Sequence, residues 1–155
     1  MTSPDRIFIQ ELELPYPIDY VFDFFSNAAN LEAITPPSLQ FHVLTPPPIV
    51  MQTGTVIDYR LKLMGIPFHW QSLIEDWQPG KRFVDIQLKG PYLKWVHTHT
   101  FTEENGKVLM KDHVAYRVPG WILEPLIHKL FVGPQVRAIF MHRSKIITQL
   151  LEAGH

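Results

Sequence analysis

The chain has 155 residues, of which 46% are hydrophobic and 19% are charged; this balance is typical of a globular protein, and the length predicts a single domain over residues 1–155. The formal net charge of −1 gives no electrostatic case for nucleic acid or an anionic membrane as a partner, and the lack of cysteine excludes disulfides, thiolate metal ligands and thiol nucleophiles. The first six residues hold no apolar signal segment and no apolar run reaches membrane-spanning length, so we expect a cytoplasmic protein.

The amino-terminal part of the chain predicts a strand followed by two short helices. Residues 6–13 form the strand pattern, which is followed by Pro15. Helical spacing then relates a group of apolar residues, Ile18, Val21, Phe22, Phe25 and Ala29. A second short helix runs through Leu31 and Ile34 and stops before Pro36, because the residue preceding a proline is driven out of the helical region.

The rest of the chain predicts antiparallel strands and then helices. Strand patterns, separated by short turns, occupy residues 39–45, 53–64, 68–77, 82–89, 94–103 and 107–118. Turns this short keep neighbouring strands antiparallel. An apolar helical segment follows at 121–132, and a longer helix is predicted from Pro134 to Leu151. A long sheet of this kind curls, and we expect the last helix to cover its concave face, which makes the fold class α+β.

Residues 95–101 carry the most informative pattern in the chain. Successive side chains of a strand point to opposite faces, so one face receives two aromatic rings and two imidazoles, from Trp95, His97, His99 and Phe101. The other face receives only valine and threonine, as a solvated outer face would. Large apolar rings mixed with a few polar groups are typical of the wall of a ligand cavity.

Asp112 lies on the otherwise apolar face of the last predicted strand. Because an unpaired buried charge is costly, we expect Asp112 to pair with His97 or His99 from the neighbouring strand, with Tyr116 or Tyr59 nearby. Three interpretations remain open for the pair. It neutralises a buried histidine, it contacts the polar group of a ligand, or it acts as a general acid and base.

A metal site is a weaker interpretation of the same residues. His97 and His99 project to one side of a strand, and Glu103 follows at a spacing similar to that of a cupin, but the later glycine and histidine motif of cupins is missing. Asp112 could supply a third ligand, yet we predict no metal and no cofactor. The remaining histidines form no constellation and are expected at the surface, at the end of a helix or at the chain end: His69, His113, His128 and His155.

Two segments have more than one interpretation. Either face of the 82–89 strand could point inward, because Phe83 and Asp85 share one parity while Val84, Ile86 and Leu88 form the more apolar one. That second face could instead serve a dimer or a protein partner. The apolar segment around Trp121, Ile122, Leu126, Ile127 and Phe131 could pack on the sheet edge, border the cavity entrance or touch a membrane transiently.

The order of elements, together with specific residues, resembles the SRPBCC (START/Bet v 1-like) superfamily, and in detail its bacterial ligand-binding, cyclase/dehydrase-like branch. The similarity rests on residues 30–37 and 54–59, Trp70, 83–85, Gly90-Pro91, the Trp95-x-His97-x-His99-x-Phe101 motif, Asp112, Tyr116, Pro119-Gly120, Ile139-Phe140 and Arg143. The resemblance implies a helix-grip fold, in which a seven-stranded antiparallel sheet wraps around a long carboxy-terminal helix, with two short helices after the first strand. Members of the superfamily include carriers, cyclases and chaperone activators, so the fold alone does not decide function.

From these observations we expect a protein, monomeric or homodimeric, that binds an apolar small molecule such as a lipid, an isoprenoid quinone or an aromatic polyketide. The expected ligand-binding residues are Phe25, Leu31, Ile34, Tyr59, Leu61, Phe68, Trp70, Trp95, His97, His99, Phe101, Asp112, Tyr116, Ile139 and Arg143. One alternative is a cyclase or dehydratase with His97, His99, Asp112 and Tyr116 as catalytic candidates. Another is a protein-interaction module with a collapsed cavity.

Overall fold

A computed structural model describes residues 4–154; residues 1–3, part of the segment searched for a signal sequence, and the terminal His155 lie outside the described part. The strands are β1 (Arg6–Leu14), β2 (His42–Val43), β3 (Val56–Leu63), β4 (Ile66–Gln78), β5 (Arg82–Lys89), β6 (Lys94–Glu104) and β7 (Lys107–Arg117). The α-helices are α1 (Ile18–Phe25), α2 (Ala29–Ile34), α3 (Glu124–Ile127) and α4 (Gly133–Gly154). Short 3₁₀ turns at Pro37–Leu39 and Trp121–Leu123 and a π-helical turn at His128–Val132 complete the helical segments.

The strands form one seven-stranded sheet in the order β1-β7-β6-β5-β4-β3-β2, and every neighbouring pair is antiparallel. With the two short helices after β1 and the long helix α4, this is the predicted α+β helix-grip fold, which is confirmed. Asn105 and Gly106 have φ of 54° and 76°, and this left-handed pair turns β6 directly into β7.

Helix α4 packs against the sheet through a stripe of buried side chains at helical spacing, Val136, Phe140, Ile147 and Leu151. The Phe140 ring lies 4.9 Å from the ring of Phe8 on β1. At the other end of the core, Phe22 and Phe25 of α1 pack against Phe101 of β6, with ring centroids 5.2 and 5.4 Å apart. The sheet therefore holds α4 on one side, as the curvature argument predicts.

The strand predicted at 39–45 is mostly absent, which corrects the sequence interpretation. His42–Val43 form the short strand β2 beside β3, and the Leu44 N–H donates to the Asp58 carbonyl of β3, whereas Pro37–Leu39 form a 3₁₀ turn. Gln40 has a left-handed φ of 46°, which an extended strand cannot include. Ala29 also differs from expectation, because it begins α2 rather than extending α1.

The segment before α4 is folded back onto the sheet end. Gly120 has a φ of 125°, and a Cβ there would lie 2.5 Å from the Ile127 side chain, so only glycine fits this turn. Glu124 is completely buried and accepts two hydrogen bonds from the Arg6 guanidinium, of 3.0 and 2.9 Å. Within residues 4–154, no helix has the length and hydropathy needed to cross a membrane.

Candidate functional site

A cavity of about 170 Å³ lies between the concave face of the sheet and α4. Helices α1 and α2, the 39–41 segment, the inward positions of β3–β6 and the first half of α4 contribute its walls. Most of the lining side chains are aliphatic or aromatic. For comparison, an engineered apolar cavity of about 150 Å³ holds one benzene molecule. The space therefore suits about one ring, or the end of a longer apolar chain.

Most of the predicted ligand-binding residues line this cavity. They are Phe25, Leu31, Ile34, Tyr59, Leu61, Trp70, Trp95, His97, His99, Ile139 and Arg143. The period-two pattern of β3 and β6 placed the strand residues correctly, because one face of each strand is covered by α4. Whether these side chains contact a ligand stays a prediction.

The other four predicted ligand-binding residues lie outside the cavity lining. Phe68 packs beside the cluster that contains Leu61, and Phe101 belongs to the core under α1. Asp112 lies behind His97 rather than at the cavity surface. The Tyr116 hydroxyl lies 2.7 Å from His128 Nε2, so Tyr116 does not contact the His97–Asp112 pair. His128 follows directly after α3, at the end of a helix as expected.

The polar side of the cavity wall belongs to a cluster of two histidines and two aspartates, here called the His–Asp tetrad. Asp85, His97 and His99 line the cavity, and Asp112 lies behind His97. His97 Nε2 lies 2.7 Å from Asp112 Oδ1, and His99 Nε2 lies 2.7 Å from Asp85 Oδ2. The two imidazoles are stacked, with centroids 3.6 Å apart. The first contact is the histidine–aspartate pair expected from the pairing of β6 with β7.

Strand register explains how the tetrad assembles. Asp85 of β5 is directly opposite His97, and Asp112 of β7 is directly opposite His99. Each histidine nevertheless bonds the aspartate diagonal to it. The opposite pairs remain longer, at 3.8 Å between His97 Nδ1 and Asp85 Oδ2 and 3.4 Å between His99 Nδ1 and Asp112 Oδ1. The crossed contacts tie β5, β6 and β7 together beneath the cavity.

The protonation states of the tetrad follow from burial and from its internal contacts. Burial opposes ionisation of both carboxyls, but hydrogen bonds and charge from the histidines outweigh it and lower the pKa of Asp85 and, to about 2, that of Asp112. Burial and the neighbouring His97 lower the pKa of His99 to about 4, although Asp85 works in the opposite direction. At neutral pH both carboxylates are therefore ionised and the His99 ring is neutral.

The neutral ring of His99 has a defined tautomer. An ionised carboxylate only accepts hydrogen bonds, so Nε2 carries the proton that is donated to Asp85. The Nδ1 atom is then an acceptor, and within residues 4–154 it is buried without a hydrogen-bond partner. It faces another acceptor, Asp112 Oδ1, at 3.4 Å. This is an unusual cost in a protein interior, where most buried polar atoms are paired.

The donor atoms of Asp85, His97 and His99 lie within 4.8 Å of one another, so these residues could be considered as metal ligands. Their geometry favours hydrogen bonding instead. Nε2 of each imidazole already makes a 2.7 Å hydrogen-bond contact with an aspartate oxygen. Glu103, the other candidate ligand, instead accepts a 2.8 Å hydrogen bond from the backbone N–H of Ile18 at the start of α1.

Arg143 of α4 supplies the cationic group of the cavity wall. Its guanidinium lies 5.1 Å from the centroid of the Phe140 ring and forms no ion pair with a residue of 4–154. Its charge contributes to the lowered pKa of Asp85 and of Asp112. The cavity thus combines an apolar body with one cation and one carboxylate, Asp85, whose side chain is one-fifth exposed.

Asp85 and Tyr92 line the cavity, although the sequence pattern assigns neither of them to it. The inward face of β5 is that of Phe83 and Asp85, and a carboxylate on a strand with two apolar parities gave no signal for this. Tyr92 lies in the turn before β6, where its backbone N–H and carbonyl both bond the Gln87 side chain, at 3.1 and 2.8 Å. No periodicity describes such a turn.

Comparison with known proteins gives likeness in structure only. No family model and no curated protein matches the chain. Its structure is similar to that of the protein TTHA0849 from Thermus thermophilus, with 17% identity, a TM-score of 0.77, and coverage of 96% of this chain and 99% of that one. The likeness lies in the helix-grip fold.

Two enzymes share this helix-grip fold with the chain. A Streptomyces aromatase/cyclase is 15% identical with a TM-score of 0.65, and 96% of this chain and 92% of that one are covered. A norcoclaurine synthase from Thalictrum flavum, in complex with a transition-state analogue, is 13% identical with a TM-score of 0.66, and coverage is 96% of this chain and 98% of that one. At these identities the likeness concerns the fold.

Proposed function

We propose that this protein binds an apolar small molecule in the cavity between the sheet and α4, with the apolar body against the aromatic wall and a polar group near Asp85 and Arg143. The observation that carries the proposal is the cavity itself, apolar over most of its wall and polar at one side. Ligand sites in proteins have this composition, with few polar groups that fix orientation.

The size of the cavity restricts the part of the ligand that is enclosed. A volume of about 170 Å³ suits one ring or a short acyl end. A lipid, an isoprenoid quinone or a polycyclic polyketide would place only one end there, with the rest directed toward the opening. Burial of apolar surface at about 25 cal/mol per Å² then supplies most of the affinity, and the polar groups give orientation.

Asp112 has a supporting role in this proposal. It holds the His97 ring by the 2.7 Å hydrogen bond and does not itself line the cavity. His97 and His99 present their stacked rings to the ligand, and His99 also stacks on Phe83 with centroids 3.9 Å apart. A ligand would therefore meet a wall that is already fixed, so little ordering cost accompanies binding.

Filling the cavity tests the proposal. Trp70 and Trp95 line it, so titration with 4-phenyl-1-butanol should change tryptophan fluorescence in a saturable way. Ala28→Leu adds bulk inside the cavity, whereas Ala138→Leu adds the same bulk on the exposed face of α4. We expect Ala28→Leu to weaken binding by about tenfold or more and Ala138→Leu to leave it unchanged. Equal affinities in the two variants would contradict a ligand site at this place.

Native mass spectrometry of the protein from its own host identifies the natural ligand. We expect a co-purifying apolar molecule that is released on denaturation and whose mass is absent from the Ala28→Leu protein. A molecule that remains bound to Ala28→Leu would occupy a different site.

A second candidate function is acid–base catalysis of the cyclase or dehydratase type. The specific observation in its favour is the pair of 2.7 Å histidine–aspartate contacts at the cavity wall, an arrangement that orients an imidazole for proton transfer. His97→Asn and His99→Asn distinguish the two functions. A binding protein should lose affinity modestly, whereas an enzyme should lose turnover of the co-purified molecule by about 10²-fold or more.

A further inference from the structure

Outside the cavity, the segment before α4 exposes an unusual amount of apolar surface. Between residues 121 and 131, six large apolar side chains are more than half exposed: Trp121 (66%), Ile122 (74%), Leu123 (58%), Leu126 (56%), Leu130 (55%) and Phe131 (52%). We call this surface the 121–131 face. None of its residues lines the cavity. Contiguous exposed patches of this kind mark interaction sites rather than ordinary protein surface.

The 121–131 face is the outer side of a helical segment whose inner side is fixed. Glu124 and Val132 are buried against the sheet end, and His128 between them is partly buried and bonded to Tyr116. Leu126 and Leu130 are one helical turn apart on the opposite side, so they project together into solvent. The helical segment therefore turns an apolar stripe toward solvent. In an ordinary surface helix the apolar stripe faces the core.

The charges of this region have one sign. The acid within residues 121–137, Glu124, is completely buried and paired with Arg6, so it contributes no exposed negative charge. The exposed ionic groups are Lys129, beside Leu130 on the face, and Arg137, near the start of α4. Tryptophan, leucine and phenylalanine beside cationic side chains are the composition of helices that lie in a bilayer interface with anionic lipids.

We infer that the 121–131 face docks onto an anionic lipid bilayer, with its apolar side chains in the headgroup region and with Lys129 and Arg137 against lipid phosphates. A second copy of the chain fits less well, because a symmetric contact would bring Lys129 of both copies out of water with no exposed acid on the surface to pair them. Helix α4, which supplies part of the cavity wall, continues directly from this segment. Docking would thus place the ligand-binding part of the protein at a membrane surface.

Vesicle binding tests the inference. Co-sedimentation uses vesicles of equal parts phosphatidylcholine and phosphatidylglycerol, and vesicles of phosphatidylcholine alone. We expect binding to the first, weaker binding to the second, and a decrease at high salt because the phosphate contacts are screened. Leu126→Ser with Leu130→Ser should weaken binding by about tenfold or more, because two half-exposed leucines no longer enter the interface. Ile7→Ser with Ile9→Ser removes two equally exposed side chains from β1 and should change nothing.

Trp121 gives a readout that needs no destabilising change. Phosphatidylcholine with brominated acyl chains, mixed with phosphatidylglycerol, should quench part of the protein fluorescence, and Trp121→Phe should remove that part. Failure of the wild-type protein to bind the anionic vesicles would overturn the inference. So would unchanged binding by the leucine variant, or concentration-dependent dimers that this variant abolishes while vesicles stay unbound.

Discussion

The buried His99 makes the stability of this protein dependent on pH in a calculable way. Its pKa is lowered from 6.5 to about 4 in the folded protein, because burial and the neighbouring His97 disfavour the charged ring. Between these values the unfolded chain binds a proton that the folded protein does not. The free energy of unfolding therefore falls as pH decreases from about 6.5 toward 4, and linkage gives a loss of about 2 kcal/mol between about pH 7 and pH 5.

Other groups with a lowered pKa also affect the pH dependence of stability. Burial also lowers the pKa of His128, which adds a loss of the same sign. The lowered pKa of Asp112, about 2, gives a stabilisation that is complete above its unfolded value of 3.8 and is lost only as pH falls through that value toward 2. The carboxyl contribution therefore appears at lower pH than the histidine contribution.

Substitution of His99 by a residue that does not titrate isolates its contribution. His99→Gln keeps an N–H group near Asp85. Between pH 7 and pH 5, the unfolding free energy of this variant should fall by about 2 kcal/mol less than that of the wild type. The matched control is His113→Gln, which removes a histidine outside the tetrad from the neighbouring strand β7. The assay is urea unfolding followed by circular dichroism at both pH values. Equal pH dependence in wild type and His99→Gln would refute the assignment of a buried neutral imidazole.

Two further predictions concern buried groups away from the tetrad. Glu124→Gln removes the charge that pairs with Arg6 inside the protein and should cost about 2 kcal/mol of unfolding free energy, whereas Glu13→Gln in the exposed pair with Lys107 should have little effect; urea unfolding of the three proteins compares them. Phe140→Ala should cost about 3–5 kcal/mol because this ring fills the space between α4 and the sheet. It should also let the cavity accept a larger probe than 4-phenyl-1-butanol, which fluorescence titration measures.

Sequence reasoning located the histidine–aspartate contact because two simple rules agree there. Alternation assigned His97 and His99 to the covered face of β6. The Asn105-Gly106 turn then sets the register of the hairpin. Glu104 pairs with Lys107 next to the turn, and five residues farther from the turn on each strand His99 lies opposite Asp112. A shift of one residue in the register of β6 and β7 would move the side chains of the covered face to the solvent face, so the two-residue turn specifies the register. The site between β6 and β7 was therefore predictable.

The second half of the tetrad was not predictable in this way. Alternation of polar and apolar residues distinguishes the two faces of a strand only where one face is exposed to solvent. Strand β5 has buried residues on both faces, because Phe83 is 5% exposed and Val84 is 7% exposed. The inward direction of Asp85 depends on its contact with His99, which is a tertiary contact with no local signal. The same limit applies to residues 39–45, where the left-handed backbone at Gln40 interrupts a pattern that is typical of a strand.

The unpaired acceptor in the tetrad bears on the choice between a binding protein and an enzyme. His99 Nδ1 and Asp112 Oδ1 face each other at 3.4 Å without a proton between them. One added proton would satisfy both atoms, but burial opposes the charge that it would give to the ring. For binding alone, this arrangement is a cost that the surrounding apolar core must offset. For proton transfer, the same arrangement places an imidazole acceptor beside an ionised carboxylate, which would stabilise the ring while it holds a proton.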